Sequence, residues 1–400
     1  MEILKAKQAV IAAGNRLVEN GLIARTWGNV SARIDNESCV VTPSGKAYNS
    51  LTPEDIVHMK LADCSYEGEL KPSAEKSIHA QAYLLRPEVN FVIHTHQLYA
   101  SILSVTGEAI PVAEQWRDVL GESIPMADYG LPGQKSLTEA VVAAWKANPA
   151  CKAVILKHHG AIVVGTDADD TFHMADVLEQ QCLAHIKQNA EAKLGKQFES
   201  LNDIHASLAK SRGEDAKPEL AAFTSVRRGE GFVMIAENGE ETEVSLMTPA
   251  DEPPTAALHR AIYCTHKNIN AIVHSHKADI LRVSQSQERP GGPKNLSSKI
   301  GLLPYLDDFA QIAGVNLRTA QMQPASVRAA LNKRSAVLLK NNGALCIGSD
   351  LDEARAVEMV VEKNCATCLS ANLFPNVGII SRLHSIVMRK FYLLKYSKKK

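Results

Sequence analysis

Three histidines in the first half of the sequence could hold a metal ion: His94, His96 and His159. The apolar run 91–93 predicts a buried strand, and alternate residues of a strand point to the same side of a sheet. His94 and His96 can therefore converge on one point. His159 follows a second apolar run and precedes a glycine, where the chain must turn. Three imidazoles that leave one coordination position open are typical of a catalytic zinc site.

A carboxylate accompanies these histidines. Glu75 stands at the start of a helical pattern, one turn before His79, and is available to the same cleft. The alternative is that the His-x-His pair binds nothing, since such pairs on strands also occur as satisfied or exposed histidines. His79 itself is interpreted as a structural hydrogen-bonding residue, because a histidine recurs at the matching position of the second half.

Three short segments could bind an anion: RTWGNVSAR at 25–33, TPSGKAY at 42–48 and KPSAE at 71–75. Each combines glycine or proline with small hydroxyl or amide side chains, and such loops can present backbone N–H groups to a phosphate. The alternative is that they are only turns, which use the same residue types.

The elements that must position these residues can be predicted from periodicity. A helix is expected over 2–20 and a hairpin around Asp35-Asn36. A short buried strand is expected over 90–94, and a pair of strands over 153–165. This mixture indicates an α/β or α+β layered domain.

The sequence also contains an internal repeat. AVILKHHGAIVVGTDADDTFHMADVLE (153–179) and AVLLKNNGALCIGSDLDEARAVEMVVE (336–362) are identical at 11 of 27 positions. Upstream, HAQAYLLRPEVNFVIHTH (79–96) aligns with HRAIYCTHKNINAIVHSH (259–276). Two blocks in the same order indicate the duplication of a domain-sized unit. Because the segment between the copies is polar and typical of a frayed helix and linker, we place the domains at 1–211 and 212–400.

Composition argues against several classes of protein. Lys plus Arg equals Asp plus Glu at 44 each, so no overall charge favours nucleic acid or an anionic membrane. No stretch is apolar enough to span a bilayer, and the N-terminal segment lacks the core of a signal peptide. None of the eight cysteines has the paired spacing expected of a disulfide framework or a zinc ribbon, which indicates a reducing compartment. We therefore expect a cytoplasmic protein with neither nucleic acid nor membrane as partner.

The motifs together resemble a known family. GNVSAR, TPSG, PSAE, RPEVNFVIHTH and KHHGAIVVG occur in the order seen in class II aldolase/adducin domains, which include fuculose-phosphate aldolase and ribulose-phosphate 4-epimerase. The resemblance covers residues 1–195. It implies an α/β/α layered fold with a mixed, mostly antiparallel central sheet, here in two tandem copies.

The resemblance also implies roles for individual residues. Zn²⁺, or another divalent ion such as Mn²⁺, would be held by His94, His96 and His159, and Glu75 would alternate between fourth ligand and catalytic acid/base. The substrate phosphate would be bound by four residues of the loops described above: Asn29, Ser44, Gly45 and Ser73.

The implied activity is that of a metal-dependent aldehyde-lyase, which cleaves a carbon–carbon bond of a ketose phosphate or related polyhydroxylated substrate through a metal-stabilised enediolate. Sugar-phosphate 4-epimerisation, dehydration and decarboxylation are alternatives in the same superfamily. An adducin-like scaffold is an alternative of another class, but the intact metal residues favour an enzyme. Two positions depart from the aldolases, since Ala74 stands in place of a serine and Gln115 in place of a proton-donating tyrosine.

The second copy has lost most of the predicted site. Its departures are Phe223 for Asn29, Thr255 for Glu75 and Asn341-Asn342 for His158-His159. Two remaining histidines, His274 and His276, lack a third imidazole and a carboxylate. We therefore expect about one metal ion per chain and no catalysis in the second copy.

Assembly is also implied by the resemblance, because members of the family form four-fold rings. A tandem chain supplies two of the four positions, so a homodimer would imitate the ring. The second half could also lend an acid/base residue across a subunit contact, with Tyr392 and Tyr396 as candidates. The expected substrate is a small molecule, a sugar phosphate.

Overall fold

The structure is a computed structural model that describes residues 1–23, 26–213, 217–247, 253, 255–286 and 301–396. The chain forms two compact units, the first mainly Met1–Lys193 and the second mainly Leu194–Pro375. None of the helices in the described part of the chain combines the length and the apolar character needed to cross a membrane.

Helices and strands alternate along the first unit. Its helices are α1 (Ile3–Glu19), α2 (Lys76–Leu85), α3 (Leu98–Leu103), α4 (Arg117–Leu120), α5 (Lys135–Ala147) and α6 (Ala168–Leu194). Its strands are β1 (Asn29–Arg33), β2 (Ser38–Val41), β3 (Val57–Lys60), β4 (Phe91–Thr95), β5 (Ile110–Pro111), β6 (Ser123–Ile124), β7 (Met126–Ala127), β8 (Ala153–Leu156) and β9 (Ala161–Gly165). The predicted first helix, the β1–β2 hairpin and the strands before and after the metal-binding motifs are confirmed.

Seven of these strands form one sheet with the order β3-β2-β1-β4-β9-β8-β7. Each neighbouring pair is antiparallel except β7 and β8, which are parallel. The predicted mixed, mostly antiparallel sheet is therefore confirmed. All residues of the central strand β4 are buried, which is expected of a strand covered on both faces.

Helices pack on this sheet through regularly spaced apolar side chains. On one face, α2 and α5 contribute Tyr83 and Trp145 to a core that includes Val92 of β4. Helix α1 lies against β1 and β2, and its buried residues recur every three or four positions. The apolar spacing that predicts α1 thus also selects the face that it buries.

The second unit repeats this plan. Its helices are α7 (Leu201–Lys210), α8 (Ala256–Thr265), α9 (Ala278–Gln285), α10 (Asp307–Ile312), α11 (Pro324–Leu331), α12 (Leu351–Ser370) and α13 (Arg382–Phe391). Its strands are β10 (Phe223–Arg228), β11 (Gly231–Ala236), β12 (Glu241–Ser245), β13 (Ala271–Ser275), β14 (Thr319–Ala320), β15 (Ala336–Leu339) and β16 (Ala344–Gly348). They form a sheet in the equivalent order, β12-β11-β10-β13-β16-β15-β14.

Strand register shows that the two sheets correspond residue by residue at the site. Ser31 of β1 lies opposite Val92 of β4, and Ser225 of β10 lies opposite Ile272 of β13. Two residues before each serine stand Asn29 and Phe223. The register therefore supports the pairing of Phe223 with Asn29.

Helix α7 belongs to the second compact unit, although it precedes the predicted domain boundary at 211/212. Its His205 is buried, with Nδ1 2.9 Å from Asp279 Oδ2 and Nε2 2.8 Å from Ser370 Oγ. Polar composition favours a linker here, but it does not reveal the apolar stripe that α7 buries, which includes Leu201 and Leu208.

Candidate metal centre

The three predicted histidines are positioned by the central strands of the first sheet. His94 lies in β4, opposite Ile162 of β9, and His96 follows the end of β4. His159 lies in the turn between β8 and β9. This turn packs closely on β4, because a Cβ atom on Gly160 would collide with the carbonyl oxygen of Thr95. Glycine at this position therefore allows His159 to approach the other two rings.

The rings converge through their Nε2 atoms. His94 Nε2 lies 2.8 Å from His159 Nε2 and 3.0 Å from His96 Nε2. The candidate ligand atoms of the three residues all lie within 4.8 Å of one another. This is the convergence that the strand alternation predicted for His94 and His96, extended to a third ring.

Burial keeps His94 in the state that a metal requires. Its side chain is buried, and desolvation lowers its pKa well below the ordinary value, so the ring is neutral. Its Nδ1 lies 3.0 Å from the carbonyl oxygen of Ala161, to which it donates its proton. The lone pair of Nε2 is therefore directed toward the other two rings.

Glu75 completes the cluster from the N-terminal end of α2. Its Oε2 lies 3.4 Å from His94 Nε2, and its Oε1 lies 3.4 Å from His159 Nε2. Burial opposes the charge of this carboxylate. However, the adjacent histidines and a hydrogen bond from Asn29 outweigh burial and lower the pKa of Glu75 to about 2.

The donor set fits a divalent metal. Ligands about 2.1 Å from a tetrahedral zinc ion lie roughly 3.4 Å from one another, close to the 2.8 to 3.4 Å separations among these nitrogen and oxygen atoms. Neutral imidazoles with an ionised carboxylate are the ligands that zinc and manganese take. Within the described residues, His94, His96 and His159 bring three potential metal ligands together at one point.

Three of the four predicted phosphate residues, Ser44, Gly45 and Ser73, lie in two loops that pair with each other. Pro43 and Pro72 form an isolated bridge, with the N–H of Ser44 donating to Lys71 O at 2.9 Å and that of Ser73 to Thr42 O at 3.0 Å. These two N–H groups are therefore engaged within the protein. Ser73 Oγ accepts a hydrogen bond from the N–H of Glu75 at 3.2 Å, which joins this loop to the metal centre.

Asn29, the fourth predicted phosphate residue, lies in β1 beside Glu75. Its Nδ2 donates to Glu75 Oε2 at 2.9 Å, and its Oδ1 contacts His79 Nε2. Ser31 was not predicted to matter, yet its hydroxyl lies 2.7 Å from His79 Nδ1. The recurrence of this pair as Ser225 and His259 was a signal available in the sequence.

The two candidate acid/base tyrosines lie at the end of the described chain. Tyr392 is buried within the second unit, and the side chain of Tyr396 lies outside the described residues. Their predicted role stays a prediction.

The corresponding region of the second unit is a remnant. The His274 and His276 rings remain close, with centroids 4.6 Å apart. However, His274 Nε2 donates to the backbone carbonyl of Asn342 at 2.8 Å. A peptide oxygen thus takes the place that an imidazole nitrogen occupies in the first unit.

Comparison with known proteins identifies the family. The model of the family described as "Class II Aldolase and Adducin N-terminal domain" matches residues 8–186 and, a second time, residues 217–369. The chain belongs to the class II aldolase/adducin family and carries two tandem copies of its domain. The predicted resemblance, fold class and duplication are confirmed.

Individual relatives match about half of the chain. A 5-deoxy-D-ribulose 1-phosphate aldolase of Bacillus thuringiensis serovar kurstaki is 30% identical over 197 residues, covering 48% of this chain and 91% of the relative. A 5-methylthioribulose-1-phosphate/5-deoxyribulose-1-phosphate aldolase of Escherichia coli O45:K1 is 31% identical over 188 residues, covering 47% and 86%. A solved L-fuculose 1-phosphate aldolase is 27% identical, covers 52% of this chain and 96% of its own, and has a TM-score of 0.43.

Proposed function

We propose that this chain is a metal-dependent aldehyde-lyase that cleaves a carbon–carbon bond in a ketose phosphate or related polyhydroxylated substrate. The observation that carries the proposal is the convergence of three imidazole Nε2 atoms beside an ionised, buried glutamate. Two relatives at 30% and 31% identity are aldolases of ketose 1-phosphates, which favours that substrate class.

His94, His96 and His159 would hold the metal, about one ion per chain, with zinc or manganese as the ions that suit this donor set. A divalent ion held there would act as a Lewis acid toward negative charge that develops on the substrate oxygens. The burial of the site excludes water and strengthens such interactions.

Glu75 is the proposed acid/base residue. Its carboxylate is held in place through Oε2 by the Asn29 amide, whereas Oε1 faces His159. Its low pKa keeps the carboxylate ionised at neutral pH, which leaves it free to accept a proton from a substrate hydroxyl. When the carbon–carbon bond breaks, one carbon keeps the electron pair. Returning the proton to that carbon completes an aldol-type reaction.

Substrate phosphate is assigned to Asn29, Ser44, Gly45 and Ser73. The pairing of the two loops supports this assignment, because it places Ser44 and Ser73 on adjacent paired segments joined to Glu75. Since the N–H groups of these serines are engaged, the hydroxyls are the donors that remain for a phosphate.

A substrate panel tests the proposal. Metal-stripped and metal-reloaded protein is given 5-deoxyribulose 1-phosphate, 5-methylthioribulose 1-phosphate and fuculose 1-phosphate, and both cleavage fragments are quantified. Metal-dependent release of dihydroxyacetone phosphate and an aldehyde is the expected result. Conversion without fragmentation would identify an epimerase or dehydratase, release of CO₂ from an acid substrate would identify a decarboxylase, and absence of metal binding would leave an adducin-like scaffold.

The organisation of the chain is part of the proposal. The two family domains are assigned to residues 1–211 and 212–400, and the second copy is non-catalytic. The active form is a homodimer that imitates a four-domain ring, and it acts in the cytoplasm. Tyr392 and Tyr396 remain candidates for an acid/base residue lent across that contact. Light scattering tests the assembly, and a mass of one chain would contradict it.

A further inference from the structure

A line of buried polar side chains leads from the proposed catalytic carboxylate into the core of the first unit. Asn29 Nδ2 donates to Glu75 Oε2 at 2.9 Å, and Asn29 Oδ1 contacts His79 Nε2. His79 Nδ1 lies 2.7 Å from Ser31 Oγ, which lies 2.7 Å from Tyr83 OH. His79 and Ser31 have no exposed surface.

The direction of each hydrogen bond in this line is fixed by its neighbour. Since an ionised carboxylate only accepts, Asn29 must present its N–H to Glu75 and its oxygen to His79. His79 is neutral, because burial lowers its pKa to about 4. It therefore donates from Nε2 and accepts at Nδ1, so Ser31 donates to it and receives a hydrogen bond from Tyr83.

We propose that Ser31, His79 and Tyr83 are positioning residues that hold the Asn29 amide with its N–H, rather than its oxygen, toward Glu75. This inference rests on the proposed function of Glu75. Neither nitrogen of His79 is left for a metal, since one faces Ser31 and the other faces Asn29. The histidine acts through Asn29 and does not touch the reacting atoms.

Reversal of the Asn29 amide would have a direct consequence at the site. The amide oxygen of Asn29 would then face Glu75 Oε2. Two hydrogen-bond acceptors would lie side by side, in place of the present donor and acceptor. A buried acceptor without a donor is costly, so the carboxylate would move away from its present place beside His94 and His159. Outer hydrogen bonds of this kind orient metal ligands in many sites.

The second unit contains the same three residues without the asparagine. Ser225 Oγ lies 2.7 Å from His259 Nδ1 and 2.9 Å from Tyr263 OH. His259 Nε2 is buried and has no hydrogen-bond partner among the described residues. Phe223 stands where Asn29 does, so this triad has no amide to orient. The fold accordingly retains the triad in both units, and among the described residues the coupling to a carboxylate is found in the first unit.

This difference supplies a matched pair of variants, Ser31→Ala and Ser225→Ala. Each removes one buried hydroxyl from the equivalent position of the corresponding strands, β1 and β10. Removing the Ser31 hydroxyl allows His79 to move its proton to Nδ1 and Asn29 to turn over. Titration with Zn²⁺ should show a metal affinity about 10- to 100-fold lower for Ser31→Ala, with no change for Ser225→Ala.

The thermal midpoints of the two variants separate a site effect from a loss of stability. Equal metal affinity in Ser31→Ala and Ser225→Ala would overturn the proposal. The Ser31→Thr variant keeps the hydroxyl and should bind Zn²⁺ with wild-type affinity. A lower Zn²⁺ affinity in Ser31→Thr, together with a wild-type thermal midpoint, would also overturn the proposal.

Nitrogen-15 NMR of the histidine side chains gives an independent readout in the metal-free protein. The expected spectrum has the proton of His79 on Nε2 in the wild type and a population with the proton on Nδ1 in Ser31→Ala. A wild-type His79 protonated on Nδ1 would overturn the proposal. Because this measurement uses neither metal nor substrate, its outcome is distinct from failure of the proposed lyase activity.

Discussion

The two halves of this chain have the same scaffold and different residues at the positions of the candidate metal site. Both sheets have the same strand order. In each unit an arginine, Arg33 or Arg227, donates to three backbone carbonyls near the end of the helix that precedes the central strand. The differences lie at the positions that would face a ligand: Asn29 against Phe223, Glu75 against Thr255 and His159 against Asn342.

The comparison teaches which residues the fold itself requires. A side chain that supports packing or a buried hydrogen bond is needed whether or not the unit is catalytic, and such residues recur in both halves. A metal ligand contributes nothing to the scaffold once the metal is lost, and it can be replaced without loss of the fold. Duplication therefore separates structural roles from chemical ones within a single chain.

The largest effect is expected for His159→Ala, compared with Asn342→Ala at the corresponding position. Loss of an outer partner of a metal site costs roughly 10- to 100-fold in metal affinity or activity, so loss of a ligand should cost more than about 100-fold. Elemental analysis and zinc titration should show metal lost in His159→Ala only. Equal metal content in both variants would place the metal elsewhere.

The next effect concerns stability and should appear in both halves. A Cβ atom on Gly160 or Gly343 would collide with the carbonyl oxygen of Thr95 or Ser275, and Gly343 also has a φ of +72°. Each Gly→Ala change should cost about 3 kcal/mol or more in the free energy of unfolding.

Urea unfolding can assign each of these losses to its unit. All three tryptophans of the chain, Trp27, Trp116 and Trp145, lie in the first half. Tryptophan fluorescence should therefore detect Gly160→Ala, whereas circular dichroism is needed to detect Gly343→Ala. A variant of Gly160 that lost activity but kept its unfolding midpoint would contradict a structural role for this turn.

A smaller gain is expected from rebuilding the lost site. The triple change Phe223→Asn, Thr255→Glu and Asn342→His restores the ligand types of the first unit around His274 and His276. Bound metal should rise from about one toward about two ions per chain. Asn342→Gln in place of Asn342→His is the control, because it lacks the third imidazole. Equal metal content in the triple variant and its control would show that side-chain identity alone does not separate the halves.

The smallest effect is a pH dependence in the second unit. Burial and the adjacent His274 lower the pKa of His259 from 6.5 to about 3. Below about pH 6.5 the unfolded chain therefore binds a proton at His259 that the folded protein does not bind. The free energy of unfolding has its full value above about pH 6.5 and decreases as pH falls toward 3, by up to about 1.4 kcal/mol per pH unit. His259→Gln should reduce this slope in urea unfolding followed by circular dichroism between pH 7 and pH 5. An unchanged slope would exclude His259 as a cause of acid sensitivity.

The sequence by itself determined the duplication, the main elements and the three histidines that could hold a metal. Period-two alternation put His94 and His96 on one side of a strand, and the repeat showed that the second half lacks Glu75 and His159. These inferences depend on local periodicity and residue identity, which are properties of short segments.

Only the tertiary structure decided which distant side chains meet. Asn29 and His79 lie fifty positions apart, and their contact depends on β1 pairing with β4 beneath helix α2. The same holds for α7, whose buried stripe has meaning only when the second unit is present to cover it. The direction of a buried hydrogen bond depends on every neighbour at once, so it emerges only when the whole core has formed.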